Sequence, residues 1–278
     1  MSQRFEQLER EIKHLLESVS GVVSVFYKDL NSGNEFRLNE NEVFNTASLM
    51  KVIKGLQLVR LFESGEIDEN STLKLKNSFV SKYDNSFYQL SEIIDSEKSL
   101  YSKIGSEVCL LELLELMITQ SSNLATNNLF ELIERKSSIA NLLDDLGMTD
   151  TRIVRGVEDQ KAYDAGIINT TTAADMIKIL EYIYIGMLQK NTYITHLYNL
   201  LLKQEHNSII PVRLPGNLLI AHKTGNLTKS LHDAAIITSS NGIRYLLVML
   251  SKNIDNKEIT IAVFSKISEL IYDFLKVK

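Results

Sequence analysis

Leu218-Leu219-Ile220-Ala221-His222-Lys223-Thr224-Gly225 is the stretch that decides the fold. Its first half is a short apolar run of strand length, and it follows Pro211 and Pro215, which close the segment before it. Two more strand-like runs come after it, Ala234 to Thr238 and Ile243 to Leu250, joined by the turn residues Ser239-Ser240-Asn241-Gly242. A helical stripe of Ile259, Val263, Ile267, Leu270, Ile271 and Phe274 then runs toward the C-terminus.

The N-terminal end mirrors this pattern. Phe5, Leu8, Ile12, Leu15 and Leu16 recur at helical spacing, and the apolar run Val22 to Tyr27 pairs with Phe36 and Leu38 across Asn31-Ser32-Gly33-Asn34. Between the ends the period is helical. Leu49, Val52, Ile53, Leu56 and Val59 mark a helix from about Thr46, and further helices are predicted at 107–118, 122–135, 172–187 and 192–204. The order predicts an α+β fold: one antiparallel sheet built by both ends, flanked by the N- and C-terminal helices, with an inserted all-helical lobe. The expected boundaries are 1–45 with 206–278 for the sheet domain and 46–205 for the helical domain, with the active site in the cleft between them. No internal repeat or low-complexity tract is visible.

Composition narrows the function. The 278 residues are 44% hydrophobic and 23% charged with only 12 Gly and 2 Pro, a globular profile. A net charge of −5 offers nothing to nucleic acid or to an anionic membrane. The single Cys109 excludes an internal disulfide and a multi-cysteine metal cluster, and its place in the apolar run Val108 to Leu114 predicts a buried core thiol. The densely charged opening, Met1 to Arg10, is not a secretory signal, so the expected location is the cytoplasm unless a leader has been removed. No window reaches the ~18 apolar residues that span a bilayer. The five histidines lack metal-ligand spacing, so neither a metal nor a cofactor is expected.

Three short motifs could carry chemistry. Ser48-Leu49-Met50-Lys51 puts a hydroxyl and an amine on one helix face, a nucleophile beside a base, although Ser71-Thr72-Leu73-Lys74 matches the same spacing in a polar turn. Ser121-Ser122-Asn123, taken singly, reads as a helix cap before it reads as a site, since Ser-x-Asn recurs at Ser32 and Ser239. Lys223-Thr224-Gly225 occurs once, at the predicted end of a strand, where the glycine would let a ligand approach the backbone.

Taken together and in this order, the motifs resemble those of the penicillin-recognising serine hydrolases, and the chain resembles the class A β-lactamases over nearly its whole length. The resemblance implies roles. Ser48 would be the acylated nucleophile, Lys51 its proton relay, and Ser121 the donor to the departing nitrogen. Asn123 would hold the substrate amide and Lys51, while Lys223 and Thr224, beside Gly225, would bind the substrate carboxylate. Backbone N–H groups of Ser48 and Asn226 would form the oxyanion hole. Glu158, in Arg155-Gly156-Val157-Glu158-Asp159-Gln160-Lys161, best matches the family's deacylating carboxylate. It reads equally as a loop carboxylate paired with Arg155 or Lys161. The family's Glu-x-x-Leu-Asn pattern is absent, and Ala162 stands where its asparagine would be. Thr172-x-x-Asp175 predicts a helix cap. His222, and His232 with Asp233 on the neighbouring strand, either polarise the Lys223 region or form a structural pair.

The implied activity is opening of a β-lactam through an acyl-enzyme on Ser48. The alternatives are a D,D-peptidase or esterase with the same apparatus, or a sensor that never releases its acyl group. The implied partner is a small acyl donor, a β-lactam or a peptidoglycan-like molecule, with a monomer expected.

Overall fold

A computed structural model describes residues 3–276; Met1, Ser2, Val277 and Lys278, which the expected domain boundaries include, lie outside the described residues. Helix α1 (Gln3–Leu16) leads into the hairpin β1 (Val22–Asp29) and β2 (Glu35–Leu38). In its turn the Asp29 carboxylate accepts from the Asn31 amide at 2.9 Å and from Ser32 Oγ at 2.6 Å. Strand β3 (Phe44–Asn45) precedes a 3₁₀ turn, Ala47–Leu49, and helix α2 (Met50–Glu63).

The long middle segment follows. It holds β4 (Thr72–Lys74), β5 (Phe79–Val80), β6 (Phe87–Tyr88), β7 (Glu107–Cys109), α3 (Leu110–Thr119), α4 (Asn123–Glu134), α5 (Ile139–Asp145), α6 (Gln160–Asp164), β8 (Thr170–Thr171), α7 (Ala173–Leu188) and α8 (Thr192–Leu202). The chain ends with β9 (Leu219–Leu227), β10 (Ser230–Thr238), β11 (Arg244–Lys252) and α9 (Lys257–Lys276).

The main sheet is antiparallel, in the order β2-β1-β11-β10-β9. Side chains alternate across a strand, so each strand feeds two cores. Val25, Tyr27, Ala235, Ile237, Leu247 and Met249 pack with Phe5, Leu8 and Ile12 of α1 and with Phe264, Ile267 and Ile271 of α9. Phe26, Ala234, Ile236, Leu246, Val248 and Leu250 face the other way, toward α2, α7 and α8. The mixed α+β fold read from the sequence is therefore present, with both terminal helices on one sheet face and the helical segment on the other. Helix α2 is buried nearly all round, from Met50 to Phe62, because it runs through the middle of the helical segment.

Three local expectations need correction. The helix predicted at 107–118 begins at Leu110, because Thr72 and Leu73 pair with Cys109 and Val108 and draw those residues into a short ladder. Cys109 is accordingly half-exposed and not a buried core thiol. Lys223-Thr224-Gly225 does not end its strand. Strand β10 begins at Ser230, earlier than its apolar run suggests, and its pairing of Ala234 with Lys223, Asp233 with Thr224 and His232 with Gly225 carries β9 on to Leu227. No helix among the described residues is long and apolar enough to cross a membrane.

Candidate active site

Ser48 is presented by a strained turn. Ala47 adopts φ +45°, in the left-handed region that a residue with a Cβ seldom occupies. The turn is held from three sides: Asn45 Oδ1 accepts from the Ala47 amide at 3.0 Å, Asn169 O from the Thr46 amide at 2.9 Å, and Asn45 O meets His232 Nε2 at 2.9 Å. It lifts the half-buried Ser48 into a cleft of about 300 Å³ that is also lined by Ser121, Asn123, His206, Thr224 and Asn226. The larger hollow, about 520 Å³ between α4 and the β5–β6 hairpin, is lined by residues such as Lys76, Phe79 and Glu134 and includes none of the motif residues. The smaller polar cleft is the one with convergent chemistry.

Gly225 is needed for this packing. A Cβ there would stand 3.0 Å from His232 Cδ2 and 3.1 Å from Ala47 Cβ. On its Cβ side the glycine brings β9 against the turn that carries Ser48, and Gly225 also lines the cleft.

Lys51 lies one turn further along, fully buried. Its amine donates to Ser121 O, to Ser121 Oγ at 3.1 Å and to Asn123 Oδ1 at 2.9 Å. Burial pulls its pKa down from 10.5 to about 7, against the opposing charges of Asp95 and Glu158. The facing hydroxyl is shared: Lys223 Nζ also donates to Ser121 Oγ at 3.1 Å, and to Thr224 O at 3.3 Å. Lys223 is fully buried, and that burial, with the Lys51 charge next, lowers its pKa well below the usual lysine range. A hydroxyl that accepts from two amines has used both lone pairs, so its own proton is left to donate elsewhere. Ser121 is held in the left-handed region at φ +63° and is not the cap of α4; Ser122 is, accepting from the Ala125 amide at 3.2 Å.

Glu158 pairs with neither basic neighbour. Arg155 donates to Ile167 O and Gly156 O, and Lys161 pairs with Asp84 at 2.8 Å. The Glu158 carboxylate instead accepts from Asn123 Nδ2 at 2.8 Å and from the Ser91 amide at 3.1 Å. Asn123 thereby bridges Lys51 and Glu158. The backbone before Glu158 is fixed by Asn127, whose Oδ1 accepts from the Val157 amide at 2.8 Å and whose Nδ2 donates to Val157 O at 3.0 Å. Ala162 is fully buried and offers no side-chain polar group. The Asn226 side chain turns out of the cleft to accept from Lys257 Nζ at 2.7 Å.

His222 and His232 each make contacts through both ring nitrogens. His222 Nδ1 lies 3.0 Å from Asp233 Oδ1 and its Nε2 lies 3.0 Å from Asn207 Oδ1, while Asp233 Oδ2 accepts from the Ile210 amide at 3.0 Å. These contacts pin the loop after α8 to the sheet. His232 is lowered by burial to about 4 and is neutral at pH 7, its Nδ1 accepting from the Ser251 amide at 3.2 Å. The expected cap is present: Thr172 Oγ1 accepts from the Asp175 amide at 3.1 Å. Asp95 and Ser91 escaped the sequence reading, since Ser91-Glu92-Ile93-Ile94-Asp95-Ser96 carries no periodicity and Ser91 contributes only a backbone N–H.

A model of the "Beta-lactamase enzyme family" matches residues 7–275, nearly the whole chain. The chain belongs to that family. Beta-lactamase PSE-4 of Pseudomonas aeruginosa is 24% identical over 176 residues, an alignment that takes in 63% of this chain and only 57% of that relative. Among solved structures, a beta lactamase from Xanthomonas campestris pv. campestris superposes with a TM-score of 0.84 at 20% identity, covering 99% of this chain and all of that one. A mutant of PBP-A, solved as an acyl-enzyme complex with penicillin G, gives 0.79 at 20% identity and covers 98% of this chain and 97% of that one. These likenesses establish that this β-lactamase-family chain shares their fold.

Proposed function

We propose that the protein is a serine hydrolase that opens a β-lactam amide through an acyl-enzyme on Ser48, in the manner of the class A β-lactamases. The observation that carries this reading is the shared hydroxyl: Ser121 Oγ lies 3.1 Å from both the Lys51 and Lys223 amines, on the cleft that Ser48 lines. With a pKa of about 7, a good part of Lys51 is a free base at neutral pH. The neutral amine takes the Ser48 proton as Oγ attacks the carbonyl, and Ser121 hands its proton to the departing nitrogen. Lys223 and Thr224 hold the substrate carboxylate, and Asn123 holds its amide. Ser48 and Asn226 backbone N–H groups, both from residues lining the cleft, receive the oxyanion, each donor contributing roughly 3–4 kcal/mol. Glu158 then aims water at the ester.

Intact mass after incubation with benzylpenicillin tests this. One penicillin adduct on Ser48 is expected, absent in Ser48→Ala; an adduct that survives Ser48→Ala ends the proposal. Ala162 favours a second reading, in which deacylation is slow and the protein acts as a penicillin-binding protein or sensor. Turnover of a chromogenic cephalosporin beyond one equivalent separates the two.

A further inference from the structure

The segment 91–101 holds both Asn123 and Glu158. Asp95 is buried, and both of its oxygens accept from the Asn123 amide, at 2.9 and 3.0 Å. They also accept from the Leu124 amide at 3.0 Å, the Glu97 amide at 3.2 Å and Tyr101 OH at 3.1 Å. Every partner is a donor, which suits a carboxylate that only accepts. Four residues earlier, the Ser91 amide donates to Glu158 Oε2, and Ser91 O accepts from the Ile94 and Asp95 amides, so the two anchor points form one compact turn.

We propose that Asp95 and the Ser91 amide are positioning elements for the acyl transfer at Ser48: Asp95 fixes Asn123 and through it the Lys51 amine, and Ser91 fixes the Glu158 carboxylate. Capping of α4 alone does not require this carboxylate in that place, because Ser122 already supplies a cap to the same helix. Asp95 adds a negative charge near a buried amine. The charged and titratable groups around Lys51 are Asp95 from this segment, Glu158 from the segment before α6, Lys223 from β9 and His206 from the loop after α8. Of these, Asp95 is the stronger of the two that hold the Lys51 proton on.

The Ser91 half rests on the proposed function, whereas the Asp95 half is read without substrate. Lys51 is titrated by NMR in protein carrying isotope-labelled lysine. Asp95→Asn is expected to move its midpoint below the parental value of about 7, and Asp95→Ser, which keeps a hydroxyl acceptor for the Asn123 amide, is expected to do the same. A folded variant whose midpoint stays in place overturns this half. Ser91→Pro deletes one N–H and leaves Asp95 intact. Its Ser48 adduct with benzylpenicillin is expected to last about tenfold longer or more while forming at the parental rate. Equal lifetimes, or acylation slowed in step with deacylation, overturn the Ser91 half. A parent protein that neither gains an adduct nor turns over a chromogenic cephalosporin defeats the proposed function, and the lysine titration still decides Asp95.

Discussion

Lys51 and Lys54 sit one turn apart on α2, both fully enclosed and both lowered by burial, to about 7 and about 8. At the cleft end, Lys51 meets three oxygens from Ser121 and Asn123 and two nearby carboxylates. In the helical interior, Lys54 meets one oxygen, Gln57 Oε1 at 3.1 Å, lies 4.1 Å from the centre of the Phe130 ring and feels the charges of Glu134 and Lys82. A lowered amine pKa is thus common to both regions and identifies neither as a site. The difference lies in what each amine faces: a hydroxyl open to a cleft in one case, an aromatic face and an amide in the other.

The comparison breaks most sharply on activity. Lys51→Met is expected to slow acylation of Ser48 by about 10²–10⁴-fold, read by rapid-quench mass spectrometry. Lys54→Met should leave the acylation rate within about threefold and should stabilise the fold by about 1–2 kcal/mol in urea titration, since an apolar chain of similar length replaces a poorly solvated charge. Acylation lost equally in both variants would erase the distinction between them.

A smaller effect concerns pH. Both lysines have folded pKa values below 10.5, so the unfolded chain binds more protons in the window from about 7 to about 10.5. Their contribution therefore disfavours the fold below about pH 7 and is relieved as pH rises through the window. The urea midpoint should climb more steeply between pH 7 and 10 in the parent than in Lys54→Met; parallel curves would show that Lys54 does not titrate as its burial requires.

Legibility in the sequence follows the same division. Ser48 with Lys51, and Lys223 with Thr224, are neighbours in the chain, so a fixed local period places them, and the antiparallel α+β arrangement follows from the strand signals at both ends. Glu158 was readable as a candidate, but its partners were not. One is a side chain 35 positions away and the other a backbone amide, a group that every residue except proline possesses. Asp95 lies in a stretch without periodicity, and only the tertiary fold encloses it. The extent of β9 was hidden because its polar end is held by cross-strand pairing with residues 230–233 and not by an apolar pattern of its own.

The sheet joins the two extremities of the chain: β1 has β11 as its neighbour, with Val22 opposite Lys252. During synthesis the first hairpin must therefore wait for β11 to leave the ribosome before its central partner exists. Contacts this remote in the chain close slowly. Until that strand is made, the nascent hairpin carries an apolar ribbon that its sheet neighbour does not yet cover.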